Sequence, residues 1–343
     1  MKALLIIFAI FQVFIGLNLV NPLLLFIFRY FKNEKRYPLL KGGNYDYAII
    51  VTAYQQTDML SSVVASILKV NYENYIVYVV ADNCDISGLS FPDNRVVLLR
   101  PAEILSNNIK SHLYAIENFK RNHEFLTIID SDNLVDPNYF SSLNTFFKQG
   151  YLAVQGVRKA KNFNTDYACL DEAGDMYYRF TDRKMMFELG SSASLAGSGM
   201  AFQSALYKDC ISNVKIEGAG FDKVLQMELL RRGYQIAFDE NAIVYDEKTS
   251  DSKQLVNQRA RWLSAYFKSL NEGLKLIVKG IKNLNWNQFL CGIVFSKPPL
   301  FLVVSFTCLS IFFDIFFMPT MLMFWGLAFL SFIFIFFYSL SYF

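Results

Sequence analysis

Three long apolar stretches limit this chain more than any other feature of it. Residues 3–28, 299–317 and 320–343 are almost uncharged, and each is close to the ~20 residues that cross a hydrocarbon layer. Backbone polar groups in that setting must be satisfied within the segment, so each stretch is expected to be a helix. The first is interrupted only by Gln12, Asn18 and the Asn21-Pro22 pair. It is too long for a secretory signal and has no small-residue cleavage site, so residues 1–31 read as a retained transmembrane anchor. Asp314 and Pro319 mark the expected turn between the other two, making residues 299–343 a pair of transmembrane helices. Arg29, Lys32, Lys35, Arg36 and Lys41 follow the first stretch, against Lys2 before it. That asymmetry places the next domain in the cytoplasm and the whole chain in the inner or plasma membrane as a multi-pass protein.

The middle of the chain then folds in water. More than half of the chain's 34 phenylalanines lie in its two apolar ends. A net charge of +3 is too small for a nucleic-acid binder, and no basic run is interleaved with aromatics. Cys84, Cys169, Cys210, Cys291 and Cys308 are scattered without a CxxC, which argues against a disulfide framework or a zinc site. With only His112 and His123, carboxylates must carry any metal chemistry.

Apolar runs and helical patterns alternate through this region. Strands are expected at Tyr47 to Thr52, Tyr75 to Ala81, Arg95 to Arg100, Phe125 to Ile129 and Leu152 to Val157. Helices are expected from about Asp58 to Val70, with Thr57 or Asp58 as cap, from Glu103 to Asn122, and from Asp136-Pro137 onward with proline in the first turn. This alternation is the signature of an α/β domain with a mostly parallel, Rossmann-like sheet and flanking helices. Farther on, Lys159 to Glu188 reads as helical with long loops. Gly190 to Gly199 is a Gly-Ser-rich segment where backbone approaches a ligand closely. Lys223 to Arg232 is a helix, and Gln235 to Tyr245 a final strand pair or meander. Leu263 to Ile281 carries apolar residues at helical spacing with Lys268, Lys275, Lys279 and Lys282 among them, so residues 263–298 are expected to be an amphipathic segment on the membrane surface.

The chemistry gathers at the carboxyl ends of the strands, where ligands bind in open α/β sheets. Asp130 and Asp132, with Ser131 between them, end the fourth strand. Two carboxylates this close call for a hard divalent cation carrying a substrate phosphate. On the same edge Thr52 and Asp82 can bond a base and Tyr54 can stack on it, while Lys110 is in reach of a phosphate. Gln258-Arg259-Ala260-Arg261-Trp262 stands ahead of the amphipathic segment. A guanidinium there can clamp a diphosphate and an indole can bound an acceptor pocket.

Thr52-Ala53-Tyr54, Asp82, Lys110, Asp130-Ser131-Asp132, Gly197-Ser198-Gly199, Asp222 and the QxxRW element at Gln258 to Trp262 occur in an order that resembles the family 2 glycosyltransferases. Within them the chain is similar to the membrane-bound polysaccharide and glycolipid synthases of the cellulose, chitin and hyaluronan synthase type. The resemblance spans about Tyr45 to Trp262. It implies a GT-A domain over residues 42–262 and a nucleotide-diphospho-sugar donor, most often a UDP-sugar. It implies that Tyr54 and Asp82 hold the uracil, with Thr52, Ala53, Lys110 and Ser131 also on the donor side. Asp130 would lie near ribose and metal, Asp132 would ligate Mg2+ or Mn2+, and Arg261 would support the leaving diphosphate. Gly199, Gln258, Arg259 and Trp262 would line the acceptor site. Asp222 would be the general base of an inverting displacement. The family usually carries Glu before that Asp, where this chain has Phe221, and Glu217 stands as the alternative base. Gln55-Gln56 also departs from the acidic residue usual after the first motif.

The expected partners are the donor, a glycan or lipid-linked acceptor and the lipid bilayer, with no nucleic acid. A processive synthase with three spans would need a homo-oligomer or a partner export subunit to pass its polymer. A single-sugar transferase would not. The reading from another class is a catalytically degenerate membrane subunit that binds nucleotide-sugar or supports a partner synthase.

Overall fold

The computed structural model describes residues 2–31, 43–212 and 220–343. The linker cations Lys32, Lys35, Arg36 and Lys41, and Glu217, lie outside the described residues. The chain forms two compact units, one of Arg36–Glu172 and Ser191–Leu255, the other of Met1–Lys35, Ala173–Gly190 and Val256–Phe343.

The first unit is built on a mixed eight-stranded sheet. Its strands are β1 (Tyr47–Tyr54), β2 (Tyr75–Asp82), β3 (Val96–Leu99), β4 (Phe125–Asp130), β5 (Leu134–Val135), β6 (Ala153–Ala160), β7 (Met200–Gln203) and β8 (Ala237–Asp246). Their spatial order is β3-β2-β1-β4-β7-β6-β8-β5. The β1, β2, β3 and β4 pairings are parallel, as is β6 with β8. Ala48 to Val51 and Leu126 to Ile129 are almost wholly buried, as continuous apolar strands covered on both faces should be. Two features depart from the expected pattern. β7 enters antiparallel between β4 and β6, and residues 237–246 form one strand rather than a pair, with an irregularity opposite Gln155 and Val157.

The helices around this sheet include α2 (Leu60–Leu68), α3 (Asn108–Glu117), α4 (Tyr139–Lys148), α7 (Ser204–Ser212) and α8 (Phe221–Arg231); α5 (Asp166–Tyr178) carries the chain across the boundary between the units. Three starts differ from expectation. Met59 precedes α2 without a side-chain cap, in place of Thr57 or Asp58. Pro137 stands ahead of α4, whose cap is Asn138. α3 begins five residues after Glu103 because the Leu105 and Ser106 amides are drawn away to the Asp82 carboxylate; Asn107 then caps it, accepting from Ile109 and Lys110 N–H.

In the second unit, α1 (Lys2–Tyr30) continues through Pro22, which neighbouring helices make tolerable in an apolar span. After α5 a π-helical turn, Arg179–Lys184, leads into α6 (Met185–Glu188). α9 (Ser252–Lys282), α10 (Trp286–Ser296), α11 (Leu300–Phe317) and α12 (Met321–Tyr342) follow. Among the described residues three helices are long and apolar enough to cross a membrane: Leu5–Tyr30, Leu300–Phe317 and Met321–Tyr342. Asp314 is not in the turn between the last two. It lies inside α11, fully buried, where its Oδ1 accepts from Gln12 Nε2 (2.8 Å) and its Oδ2 from Trp325 Nε1 (2.9 Å). A carboxylate buried among apolar helices has to find donors inside the bundle, and these two supply them. The amphipathic segment is likewise two helices, since Asn285 breaks it and caps α10 through Gln288 N–H.

Candidate active site

β1, β2 and β4 end in register on one edge of the sheet. Thr52 pairs with Asp130 across one side, and Tyr54 pairs with Asp82 across the other. The parallel register therefore gathers onto one edge the residues that each strand carries at its carboxyl end. Thr52 is half-buried, Ala53 buried and Tyr54 exposed. The Tyr54 hydroxyl accepts from Ser106 Oγ (3.0 Å), which holds the ring at the mouth. Asp82 is buried, with Oδ1 taking the Leu105 amide (3.0 Å) and Oδ2 the Ser106 amide (2.7 Å). It thus fixes the loop leading to α3. Lys110, in the first turn of α3, is exposed.

After Asp130 the chain turns at once, and Asn133 N–H closes the turn on the Asp130 carbonyl (3.1 Å). Asp130, Ser131 and Asp132 stay half-buried. Behind them the Gly197-Ser198-Gly199 segment supports the strand. Ser198 Oγ accepts the Asp130 amide (3.0 Å), and Gly199 N–H bonds the Ile128 carbonyl (2.9 Å). Gly199 has φ +65°, and a Cβ there would stand 3.0 Å from Val244 Cγ2. The close approach that its lack of a side chain permits is to this chain's own backbone and to Val244.

A charged frame that the sequence reading did not include surrounds the pair. Asn133 Nδ2 donates to Asp132 Oδ1 (2.8 Å) and to Asp246 Oδ1 (3.0 Å). Arg158, on β6, spans Asp246 Oδ2 (2.7 Å) and the Ala196 carbonyl (2.7 Å). Lys248 bridges Asp246 and Glu172 at 3.1 Å each. Lys161 Nζ donates to the Asp132 carbonyl (2.9 Å) and pairs with Glu247. The signal was charged residues, Arg158 to Lys161 and Asp246 to Lys248, at the ends of two apolar strands, which look the same as solvated turns until the strands are paired.

Asp222 sits in the first turn of α8, after Gly220 in the left-handed conformation (φ +97°). Its Oδ1 accepts the Lys223 amide (2.9 Å). Phe221 is buried, edge-on to the His112 ring at 5.4 Å. His112 bonds the Tyr207 hydroxyl, and burial holds its pKa down to about 3, so it is neutral. The departure at Phe221 is therefore a packing residue, next to a carboxylate that adds to the rise of the Asp130 pKa.

Burial above all pushes Asp130 up to about 7; Arg158 opposes, while Asp132, Asp246 and Asp222 add to the rise. Burial and then Asp246 also raise Asp132, and burial raises Asp222. Among the described residues no group of three or more His, Cys, Asp or Glu is arranged around a metal ion. The Asp130–Asp132 pair suits a hard divalent cation whose other positions fall to phosphate oxygens, because such a cation relieves the repulsion that raises both groups. The sign gives a prediction. Asp130 has a folded pKa above its unfolded one, so its stabilising proton is present at low pH and lost as pH rises through about 7. Without divalent cations the melting temperature should fall by about 2–4 °C between pH 6.5 and 8. Saturating Mg2+ or Mn2+, or Asp130→Asn, should flatten that slope. An unchanged slope in the variant would refute the assignment.

Gln258, Arg259, Arg261 and Trp262 belong to the second unit, on α9. The Arg259 guanidinium stacks on the Trp262 ring at 4.3 Å. Arg261 and Trp262 are exposed, and Gln258 is partly buried.

Residues 44–265 match the profile of the family described as glycosyltransferase like family 2. No curated protein matches. Among solved structures, the chain is similar to the mannosyltransferase PcManGT from Pyrobaculum calidifontis, which was solved with GDP-Man and Mn2+. The TM-score is 0.57 at 13% identity, covering 94% of this chain and 97% of that one. It is also similar, at TM-score 0.46 and 13% identity over 68% of this chain and 66% of the other, to S. aureus TarS 1–349 in complex with UDP-GlcNAc. With the family profile covering the whole strand-edge site, the chain belongs to the glycosyltransferase-like family 2 and is a glycosyltransferase of GT-A-like fold.

Proposed function

We propose that the protein is an inverting, metal-dependent transferase that moves a sugar from a nucleotide-diphospho-sugar, a UDP-sugar by its motif set, to a glycan or lipid-linked acceptor at the cytoplasmic membrane face. The supporting observation is the register that brings Thr52, Asp82 and Asp130 to one sheet edge, with Asp222, from a separate helix, among the carboxylates that raise the Asp130 pKa. Tyr54 and Thr52 receive the base at the rim. Asp82 serves mainly by holding the loop from Leu105 to Ser106 against that rim. Asp130 and Asp132 would hold Mg2+ or Mn2+, which when bound neutralises charge on the departing diphosphate.

Asp222 takes the proton of the acceptor hydroxyl. The freed oxygen bonds the anomeric carbon, the carbon–oxygen bond to the diphosphate breaks, and the bonding pair leaves with the nucleoside diphosphate. A carboxylate whose pKa is raised by burial is a better base for that proton than a solvated one. Arg158, Lys161 and Lys248 keep the carboxylate framework in place and limit its repulsion. Arg261 for the leaving diphosphate, and Gln258, Arg259, Trp262 and Gly199 for the acceptor, are assigned on the motif. A role in polysaccharide or glycolipid synthesis fits the three apolar helices, with a homo-oligomer or export partner required only if the product is a polymer.

The test is nucleoside-diphosphate release across a panel of UDP- and GDP-sugars, with and without Mg2+ or Mn2+. We expect release from a UDP-sugar that depends on the cation and drops at least a hundredfold in Asp132→Ala, as is typical for lost electrostatic stabilisation of order ~10²–10³. Phe221 at the position of the family's usual Glu favours a second reading, a non-catalytic subunit. If Asp132→Ala and Asp222→Asn both leave transfer in cells unchanged, that reading replaces the first.

A further inference from the structure

α9 carries two apolar faces, and only one of them is used inside the protein. The first packs on α10 as a close helical hairpin built on small residues. A Cβ at Gly280 would come within 2.5 Å of the Phe289 amide nitrogen, one at Gly292 within 2.7 Å of the Ile277 nitrogen, and one at Gly273 within 2.8 Å of the Phe295 Cβ. Tyr266, Gly273, Leu276 and Gly280 are the buried residues of α9. The second face is open: Phe267, Leu274, Val278 and Ile281 are 62, 50, 50 and 59% exposed. At 3.6 residues per turn these four fall on one line, and Lys268, Lys275, Lys279 and Lys282 fall on a parallel line about a quarter-turn away. The lysines are all exposed. Glu272, bonded to Lys275 (2.9 Å), is the sole acid in α9.

The hairpin also lies at a definite level. The Trp286 ring, at the start of α10, stands 6.3 Å from Phe28 in the last turn of α1, and its Nε1 donates to the Leu189 carbonyl (3.1 Å). The other end of α10, Ser296, runs through Lys297 and two prolines straight into α11 at Leu300. Those two places are the same end of the three-helix bundle, because Phe26 of α1 meets Phe334 and Tyr338 near the end of α12, while Gln12 meets Asp314 and Trp325 deeper in. α10 therefore has both ends at one boundary of the apolar layer, and α9 runs beside it.

We propose that the open face of α9 docks on a leaflet surface rich in anionic phospholipid, with the Phe267–Ile281 stripe at the acyl boundary and Lys275, Lys279 and Lys282 on lipid phosphates. An apolar stripe edged by cations, held at the membrane boundary by spans on the same unit, has that surface as its complementary partner. The inference stands apart from the transfer reaction.

The test uses the full chain in nanodiscs of phosphatidylcholine alone or with phosphatidylglycerol. Anionic lipid should raise the melting temperature by about 3 °C, as a ligand specific to the folded state does. Lys275→Gln/Lys279→Gln/Lys282→Gln should lose most of that gain, and Lys208→Gln/Lys253→Gln should keep it. Equal gains in all three proteins, or no gain in the wild type, overturn the proposal. In a second measurement, a fluorophore on Val278→Cys, with the exposed Cys169 and Cys308 replaced by Ser, should be quenched by a lipid-borne quencher and shielded from iodide. Free access of iodide overturns the proposal, and shielding that appears only with two copies per disc would assign the face to a second chain instead.

Discussion

Asp222→Asn should lower the transfer rate about a thousandfold, within the 10²–10⁴ range of general-base catalysis, while the KM for donor stays within about threefold. The change removes one negative charge and one proton acceptor but keeps the shape. An amide oxygen at the same position still accepts the Lys223 N–H, which now bonds Asp222 Oδ1 at 2.9 Å, so the start of α8 is expected to hold. The pH profile separates this from a structural loss. Wild-type activity should fall on the acid side as Asp222 takes up a proton, with a midpoint above that of an ordinary carboxylate because burial raises it. In the variant that acid limb should flatten. Steady-state release of nucleoside diphosphate in the presence of acceptor, from pH 4.5 to 9, measures both. A variant retaining a third of the wild-type rate with the same acid limb would move the base to Glu217, and Glu217→Gln would then show the loss.

The largest stability effect is expected from the smallest substitution. Gly156 lies on β6 opposite the irregularity with β8, and its amide bonds the Gly199 carbonyl at 2.8 Å. A Cβ there would stand 2.3 Å from the Ala242 carbonyl oxygen and 3.0 Å from that of Gly199. Both obstacles are backbone, so no rotamer change relieves the clash, and strands β6, β7 and β8 would have to part. Gly156→Ala should cost about 3–5 kcal/mol, the level of a severe core defect, and lower the melting temperature by about 10 °C. The disturbance should reach the site, because Gly199 is adjacent to Ser198, which holds the Asp130 amide. Gly88→Ala, where nothing lies within 4 Å, is the matched control and should be neutral. A Gly156→Ala protein that melts with the wild type would mean that the strands are more loosely joined than described here.

The sequence announces some of this site and conceals the rest for physical reasons. Thr52, Asp82 and Asp130 each end an apolar run, and parallel pairing alone puts such residues on one edge. Asp222 is remote from them along the chain, and only the ordered motif set ties it to that edge. β7 is four residues between a Gly-Ser segment and a helix, too short to show a period, so its antiparallel entry is invisible beforehand. The Arg158, Asn133, Asp246 and Lys248 network is hidden because a charged residue after a strand is ordinarily a solvated turn. The expectation that α3 starts at Glu103 fails for a related reason. The residues there have helical propensity, but the Asp82 carboxylate competes for their amides and wins. Asp314 reads as a turn residue because an acid in an apolar run suggests an interruption, whereas two donors from other helices let it stay in the span.

That last arrangement bears on how the protein is made. Gln12 and Asp314 are 302 positions apart, and Gln12 and Trp325 are 313 apart. At about 5–20 residues per second, a ribosome needs on the order of half a minute to deliver these partners after Gln12 has emerged. Throughout that interval α1 carries an amide with neither of these two groups to bond, and an unmet polar group is costly wherever water is excluded. The set of Gln12, Asp314 and Trp325 is thus complete only when α12 arrives with its indole. Nascent chains arrested before Trp325 should for that reason leave Gln12 and Asp314 without the indole that bonds both.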